Sequence, residues 1–200
     1  MRAYVGLGAN VGDAAATLEA AVRSLAALPF TRLRRVSSLW ATAPVGVVDQ
    51  PEFHNAVVAL DVPAGTTAES GATALLAALK QLERAFGRQR REHWGPRELD
   101  LDLLVFGRAR LSVSRPSGAE SNDPARTGRP LVVPHPEAQA RLFVLEPLAE
   151  LAPALVPPGW GQRVSTARER RRAIEGPDAA RRIAAWGEPG WIRLEPERAG

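Results

Sequence analysis

The sequence of 200 residues contains no cysteine. Disulfide bonds and thiolate metal sites are therefore excluded, and a reducing compartment is expected. The chain also lacks any apolar run long enough to cross a bilayer, and the apolar stretch at residues 3–8 is too short for a signal peptide. We therefore expect a cytoplasmic protein with no membrane partner.

Lysine is almost absent, since Lys80 is the only one, so arginine carries nearly all the positive charge. The net charge is +4. This balance favours an anionic partner, either nucleic acid or a phosphorylated small molecule, without choosing between them. Hydrophobic residues make up 45% of the chain, which is enough for the core of one domain with extensions.

Leucine and aspartate alternate over residues 99–103. In a strand, alternate side chains point to opposite faces, so Asp100 and Asp102 are predicted to share the face opposite the leucines. Two carboxylates about 7 Å apart repel each other unless a cation lies between them, and magnesium prefers such hard oxygen ligands. The alternative is an antiparallel strand with one solvated face.

Four arginines lie in the segment 87–97, whose glycines and proline exclude a continuous helix. Guanidinium groups beside a metal-binding acidic pair are typical of sites for a polyphosphate with bound magnesium. An arginine-rich loop by itself would more often be solvated surface. Together, the loop and the acidic pair favour the polyphosphate site.

The remaining pattern predicts strand, helix, strand, strand, helix, strand. Predicted strands cover residues 4–8, 33–42 and 53–62, and predicted helices begin at Asp13 and near Thr66. This order indicates an α+β, ferredoxin-like βαββαβ sandwich with an antiparallel sheet and helices on one face. Glu83 falls on the buried side of the second helix, and we expect a loop arginine as its partner.

Several regions outside this pattern are also assigned. Residues 1–156 form the predicted domain, and a polar stretch at 107–130 is interpreted as a surface insertion, partly disordered. Residues 157–200 form a C-terminal extension of unknown role, which contains a basic, helix-like run. A further short strand ends at His135.

Three weaker signals have both a structural and a functional interpretation. Gly8 either makes a tight turn or lets a ligand approach the backbone; the glycine spacing does not fit a dinucleotide fold. Phe53 and Asn55 share a strand face, which suits a flat heterocycle as well as an ordinary core. His135 either donates to a phosphate or is structural.

Four blocks in order resemble the 6-hydroxymethyl-7,8-dihydropterin pyrophosphokinase family of folate biosynthesis: YVGLGANVGD at 4–13, SSLWATAPVGVVDQPEFHN at 37–55, GRQRREHWGPRELDLD at 87–102 and VPHPEAQARLF at 133–143. The resemblance implies Mg²⁺-dependent transfer of pyrophosphate from ATP to the pterin hydroxymethyl group, releasing AMP. Two magnesium ions, ATP and the pterin are then the small-molecule partners.

The resemblance also implies residue roles. Asp100 and Asp102 would hold the metal, and Arg88 and Arg97 would act with them in catalysis. Nucleotide contacts would come from Arg90, Leu103, Val132, His135 and Arg141. Pterin contacts would come from Thr42, Pro44, Val45, Phe53, Asn55, Trp94 and Phe143.

Three positions depart from the family pattern: His54, His93, and Lys80, where some members carry glutamine near the nucleotide. The alternatives are a ferredoxin-like RNA-binding module or a catalytically inactive paralogue. Because the strand that would stack bases carries two aspartates, we expect no nucleic-acid partner. We expect a monomer.

Overall fold

A computed structural model describes residues 1–44, 49–87, 95–120, 128–187 and 190–194. Seven strands form the main sheet, in the order β5-β1-β4-β3-β8-β9 with β2 also paired to β4. They are β1 (Arg2–Ala9), β2 (Arg32–Val36), β3 (Leu39–Thr42), β4 (Phe53–Asp61), β5 (Asp100–Phe106), β8 (Arg181–Trp186) and β9 (Trp191–Arg193). A separate pair consists of β6 (Leu111–Val113) and β7 (Leu131–Val133). The pairings are antiparallel, and the predicted α+β class is confirmed.

The helices of the described residues are α1 (Ala14–Ala26), α2 (Ala68–Ala85), α3 (Leu142–Leu151) and α4 (Val164–Glu175). The Asp13 carboxylate caps α1 by accepting from the Ala16 N–H at 3.0 Å. Thr67 and Ser70 form a capping box at the start of α2, and Gly87, with φ of +80°, follows its end. Both helices therefore begin where the sequence signals predict.

The two faces of the sheet are covered by different helices. Alternate β1 residues, from Ala3 to Ala9, are buried in the core that includes α1 and α2. On the opposite face, Val57 and Ala59 pack against α3 and α4 residues such as Leu145 and Ala167. The prediction of helices on one face alone is therefore wrong, because the carboxyl-terminal helices cover part of the second face.

The predicted strand 33–42 is divided into β2 and β3 at Ser37 and Ser38. The Ser37 N–H donates to the Val57 carbonyl and the Ser37 Oγ accepts from the Val57 N–H, both at 2.9 Å. The Ser38 N–H donates to the Glu150 carboxylate of α3 at 3.0 and 3.1 Å. Since these side chains replace ladder bonds, the strand breaks there and α3 is anchored to the sheet.

The insertion and the carboxyl-terminal extension both contribute ordered structure. Within 107–130, β6 pairs with β7 just beyond the insertion and Ala119 is fully buried. Residues 121–127 of the insertion lie outside the described residues. The basic run forms α4, and β8 and β9 extend the sheet beyond β3. The Trp191 Nε1–H donates to the Ser37 carbonyl at 2.9 Å. None of the described helices is both long and apolar enough to cross a membrane.

Candidate functional site

The central strand β1 brings the acidic pair and the predicted amide together. Gly8 is paired with Asn55 of β4 on one side and with Asp100 of β5 on the other. Gly6 is paired in the same way with Asp102. Since directly paired residues of neighbouring strands lie on the same face, Asn55 and the two aspartates share one face of the sheet.

Gly8 leaves open space between these side chains. A Cβ built at Gly8 would lie 3.4 Å from Asn55 Oδ1 and 4.0 Å from Asp100 Cβ. A side chain here would fill the space between the amide and the carboxylate. The missing Cβ thus makes a concavity on a sheet face that carries the predicted ligand-binding groups.

The acidic pair has the predicted alternation. Asp100 and Asp102 are half-buried, whereas Leu99, Leu101 and Leu103 are at most 2% exposed and lie in the core on the other face. The Asp100 carboxylate accepts from the Arg97 guanidinium. Within the described part of the chain, no side chain hydrogen-bonds or forms an ion pair with the Asp102 carboxylate.

The donor set fits a divalent cation that has few protein ligands. Asp100 borders the Gly8 concavity and Asp102 is the next residue of β5 on the same face. The described residues contain no group of three or more His, Asp or Glu side chains that could hold a metal. Magnesium is commonly held by one or two carboxylates, with substrate phosphates and water completing its shell. Asp100 and Asp102 therefore suit a magnesium ion that arrives with a phosphate ligand.

The other side of the concavity is a buried amide. Asn55 is 6% exposed, and its Nδ2 donates to the Thr42 Oγ1 at 2.9 Å and to the Phe53 carbonyl at 3.4 Å. These bonds fix the amide so that Oδ1 faces Gly8, and among the described residues nothing donates to this oxygen. Phe53 shares the face of Asn55, and half-buried Pro44 follows β3.

Phe143 and Arg141 reach the same face from α3. Arg141 immediately precedes α3, and its guanidinium forms an ion pair with Glu137 and lies 5.5 Å from the centroid of the Phe143 ring. Phe143 packs against the cluster that includes Val57 and Ala59. The structure thus brings Phe143 to the sheet face that carries Phe53 and Asn55.

Val132 and His135 line a cleft of about 530 Å³ together with Trp160 of the extension. The His135 N–H donates to the Leu104 carbonyl at 2.9 Å, and its Nδ1 accepts from the Glu137 N–H at 3.3 Å. His135 is therefore attached to the strand that carries the aspartates. The Leu103 side chain is in the core, so only its backbone could contact a ligand.

Asn10, which the sequence did not single out, connects two segments that carry candidate site residues. It is 3% exposed, and its Nδ2 donates to the Gln50 Oε1 and the Pro51 carbonyl at 3.0 and 3.1 Å. Its Oδ1 accepts from the Arg97 N–H at 2.7 Å. The only sequence signal is an asparagine after the strand and its glycines, which is equally typical of a turn.

The structure also describes the surroundings of Glu83 and His54. Among the described residues, Glu83 contacts Lys80 Nζ at 2.6 Å and the Leu101 N–H at 2.7 Å. The loop arginines at 88–91, which the sequence offers as partners of Glu83, lie outside the described residues. His54 lies on the opposite face from Asn55. Burial lowers the pKa of His54, and its Nδ1 has no hydrogen-bond partner among the described residues. His54 is therefore a half-buried residue on the face of β4 opposite the candidate site.

Four predicted site residues lie outside the described residues, as does His93. They are Val45, Arg88, Arg90 and Trp94.

A family model and several relatives of known name match this chain. Residues 4–153 match the sequence model of the 7,8-dihydro-6-hydroxymethylpterin-pyrophosphokinase family. A Pseudomonas aeruginosa protein named 2-amino-4-hydroxy-6-hydroxymethyldihydropteridine pyrophosphokinase is 42% identical over 154 residues, covering 77% of this chain and 82% of the relative. Proteins of the same name from Methylorubrum extorquens and Bacillus subtilis are 40% identical over 174 residues and 36% identical over 149 residues. They cover 87% and 74% of this chain, and 97% and 77% of their own lengths.

Solved structures share the fold. The Plasmodium falciparum HPPK-DHPS protein with pteroate superimposes with a TM-score of 0.68 at 13% identity, covering 96% of this chain and 47% of that one. An HPPK-DHPS structure in complex with substrates gives a TM-score of 0.70 at 9% identity, covering 96% and 49%. This chain thus spans about half the length of those proteins, and the likeness supports the ferredoxin-like α+β fold.

Proposed function

This chain belongs to the 7,8-dihydro-6-hydroxymethylpterin-pyrophosphokinase family, and we propose that it transfers pyrophosphate from ATP to 6-hydroxymethyl-7,8-dihydropterin in folate biosynthesis. The products are AMP and the pterin diphosphate. The observation that carries the proposal is the position of Gly8 between Asp100 and Asn55. In this arrangement the Asp100 carboxylate, which suits a metal-bound nucleotide, lies next to the Asn55 amide, which suits a heterocycle.

The pterin is assigned to the Asn55 side of the concavity. Its ring edge carries donors and acceptors, and Asn55 Oδ1 faces the open space at Gly8. Since the Asn55 Nδ2 is held by Thr42, the acceptor is already oriented before the substrate binds. Phe53 and Phe143 would supply aromatic faces for the flat ring, and Pro44 would border its edge. The resemblance also assigns Val45 and Trp94 to the pterin.

ATP is assigned to the aspartate side. Asp100 and Asp102 would hold two magnesium ions, which supply positive charge against the phosphate oxygens and favour deprotonation of the pterin hydroxymethyl group. Arg88, Arg90 and Arg97 would neutralise the triphosphate from the adjoining segment. His135 and Arg141 would contact phosphates from the other side, with the Leu103 backbone and Val132 near the adenine.

The reaction needs little covalent participation by the protein. The pterin hydroxyl oxygen attacks the β-phosphorus, the bond from this phosphorus to the α-β bridging oxygen breaks, and AMP leaves with that oxygen. Phosphoryl transfer of this kind is accelerated mainly by positioning and charge neutralisation. We therefore assign no strong general base. The Asn55 amide would hold the pterin, and Arg97 would hold charge near the reacting phosphate.

The experiment is an assay of AMP formation by the purified full chain with ATP, Mg²⁺ and 6-hydroxymethyl-7,8-dihydropterin. We expect AMP to depend on the pterin and to match the pterin diphosphate in amount. An Asp61→Asn variant is the matched control, because Asp61 is paired with Arg2 and Arg34 at the far end of β4 from Asn55. Absence of pterin-dependent AMP would overturn the proposal and favour an inactive paralogue. Filter binding of mixed RNA with and without Mg²⁺ tests the RNA-binding alternative, and we expect no retention.

A further inference from the structure

Lys80 and Glu83 form an ion pair inside the protein. Lys80 Nζ lies 2.6 Å from Glu83 Oε1, and the two residues are 5% and 0% exposed. Removing two charges from water is costly, and such a pair often stabilises a fold no better than apolar residues of the same volume. Because such a pair is not expected to stabilise the fold by itself, its burial indicates another function.

Both charged groups bind the backbone of Leu101. Glu83 Oε1 accepts from the Leu101 N–H at 2.7 Å, and Lys80 Nζ donates to the Leu101 carbonyl at 3.2 Å. The Leu101 N–H belongs to the peptide plane that follows Asp100. The Leu101 carbonyl belongs to the plane that precedes Asp102. The ion pair thus binds both peptide planes between the two aspartates.

The location of β5 explains why side chains are needed here. Among the described strands β5 lies at an edge of the sheet, with β1 as its neighbour. On an edge strand, alternate residues direct their N–H and C=O groups away from the sheet, where no ladder bond can hold them. Leu101 is such a residue, and the side chains of α2 take the place of the missing strand.

We propose that Lys80 and Glu83 are positioning residues for the acidic pair, a role that rests on the proposed metal binding by Asp100 and Asp102. By fixing the two peptide planes around Leu101, they set the direction in which both carboxylates leave the strand. Groups behind metal ligands commonly control affinity in this way. Lys80 is one of the positions where the chain departs from the family pattern, and its ammonium keeps a donor for the Leu101 carbonyl.

The test compares Mn²⁺ binding, followed by electron paramagnetic resonance with a non-hydrolysable ATP analogue present, across four forms of the full chain. Lys80→Met with Glu83→Leu removes both charges together, so that no unpaired buried charge prevents folding. Lys80→Gln retains an N–H donor. Leu25→Ala is the matched control, because it opens the same core from α1, away from Leu101.

We expect the double variant to bind Mn²⁺ about tenfold more weakly than wild type. Lys80→Gln should retain most of the affinity, and Leu25→Ala should match wild type although its melting temperature is lower. Faster hydrogen exchange of the Leu101 amide in the folded double variant would give independent support.

Two results would overturn the inference while leaving the proposed function intact. One is wild-type Mn²⁺ affinity in the folded double variant. The other is an equal loss in Leu25→Ala, which would show that general destabilisation is responsible. If the wild-type protein neither binds Mn²⁺ nor releases pterin-dependent AMP, the proposed function fails, and the positioning role fails with it.

Discussion

The Asn10 Oδ1 accepts a hydrogen bond of 2.7 Å from the backbone N–H of Arg97, although the two residues are 87 positions apart. The Asn10 N–H in turn donates to the Arg97 carbonyl at 3.0 Å. The Asn10 Nδ2 donates hydrogen bonds to the Gln50 Oε1 and the Pro51 carbonyl, just before β4. One buried side chain therefore connects the segment that leads to the acidic pair with the segment that leads to Phe53 and Asn55.

We expect Asn10→Ala to weaken both halves of the site. The Arg97 N–H and the Pro51 carbonyl would lose a buried partner, and each such loss costs about 1–3 kcal/mol. The KM for ATP and the KM for the pterin should rise together, with a lower melting temperature. Steady-state kinetics with each substrate varied in turn and thermal unfolding would measure these effects.

Asn10→Asp removes one of the two connections that Asn10 makes. The aspartate keeps an acceptor for the Arg97 N–H but loses the N–H donors to Gln50 and Pro51. We expect its KM for the pterin to rise more than its KM for ATP. Gln50→Ala is the control, since it removes only one of the bonds. Equal rises of both KM values in Asn10→Asp would contradict the separation.

Gly8→Ala should impair binding with little effect on folding. The new Cβ would be in ordinary van der Waals contact with Asn55 Oδ1, at 3.4 Å, so the fold can accept it. It would nevertheless fill the concavity, and we expect pterin affinity to fall at least about tenfold, a loss of roughly 1.4 kcal/mol. Pterin titration by fluorescence measures this.

Gly6→Ala is the matched control for that experiment. Gly6 lies on the same strand and face, but the three atoms nearest to an added Cβ there all belong to the Leu104 side chain, at 3.4 to 3.6 Å. We expect near-normal pterin affinity. If both variants bind the pterin as wild type does, the ring does not enter the Gly8 concavity.

Asp102→Asn should abolish most turnover without loss of stability. No described side chain depends on the Asp102 carboxylate, and removing one of two neighbouring negative charges relieves their repulsion. We expect turnover to fall by at least about 100-fold, because charge stabilisation at the phosphates is lost. The AMP assay and a melting curve together measure this. Turnover near that of wild type would remove Asp102 from the metal site.

Arg97→Ala tests whether the Arg97 guanidinium neutralises the negative charge of the phosphates. In the present structure Arg97 is paired with Asp100, so the proposed function requires it to exchange this partner for phosphate. We expect turnover to fall by orders of magnitude. Arg97→Lys should not restore it, because an ammonium lacks the planar fork of donors. Full rescue by lysine would show that a point charge is sufficient.

The buried carboxylate of Glu146 is expected to make the free energy of unfolding depend on pH. It is 3% exposed within α3, its Oε1 lies 3.7 Å from Arg172 Nε, and burial raises its pKa above the ordinary 4.5 despite the arginine. Above the raised pKa, the charged carboxylate is less favourable in the folded than in the unfolded chain. Protonation removes this cost as the pH falls through the raised pKa toward 4.5.

Glu146→Gln should therefore raise the melting temperature at pH 7.5 by a few degrees, and the difference should shrink as the pH approaches 4.5. Glu169→Gln is the control, since Glu169 is exposed on α4. A lower melting temperature for Glu146→Gln at pH 7.5 would show that attraction to Arg172 outweighs burial.

Local patterns in the sequence were sufficient for much of the fold. The alternation around Asp100 and Asp102 and the helix starts at Asp13 and Thr67 depend on neighbours within a few positions, and the structure agrees with them. The division at Ser37 and Ser38 was not predictable, because it depends on Val57 and Glu150. The partners of Glu83 depended likewise on the distant Leu101.

The sequence by itself determined the family, the strand that carries two carboxylates on one face, and the residue types for metal, phosphate and a flat ring. Only the tertiary structure decided that Gly8 separates Asp100 from Asn55, that Asn10 joins two distant segments, and that Lys80 and Glu83 hold the Leu101 backbone. The reason is physical: strand periodicity and helix capping are local, whereas strand register and the satisfaction of buried polar groups depend on segments that meet only after folding.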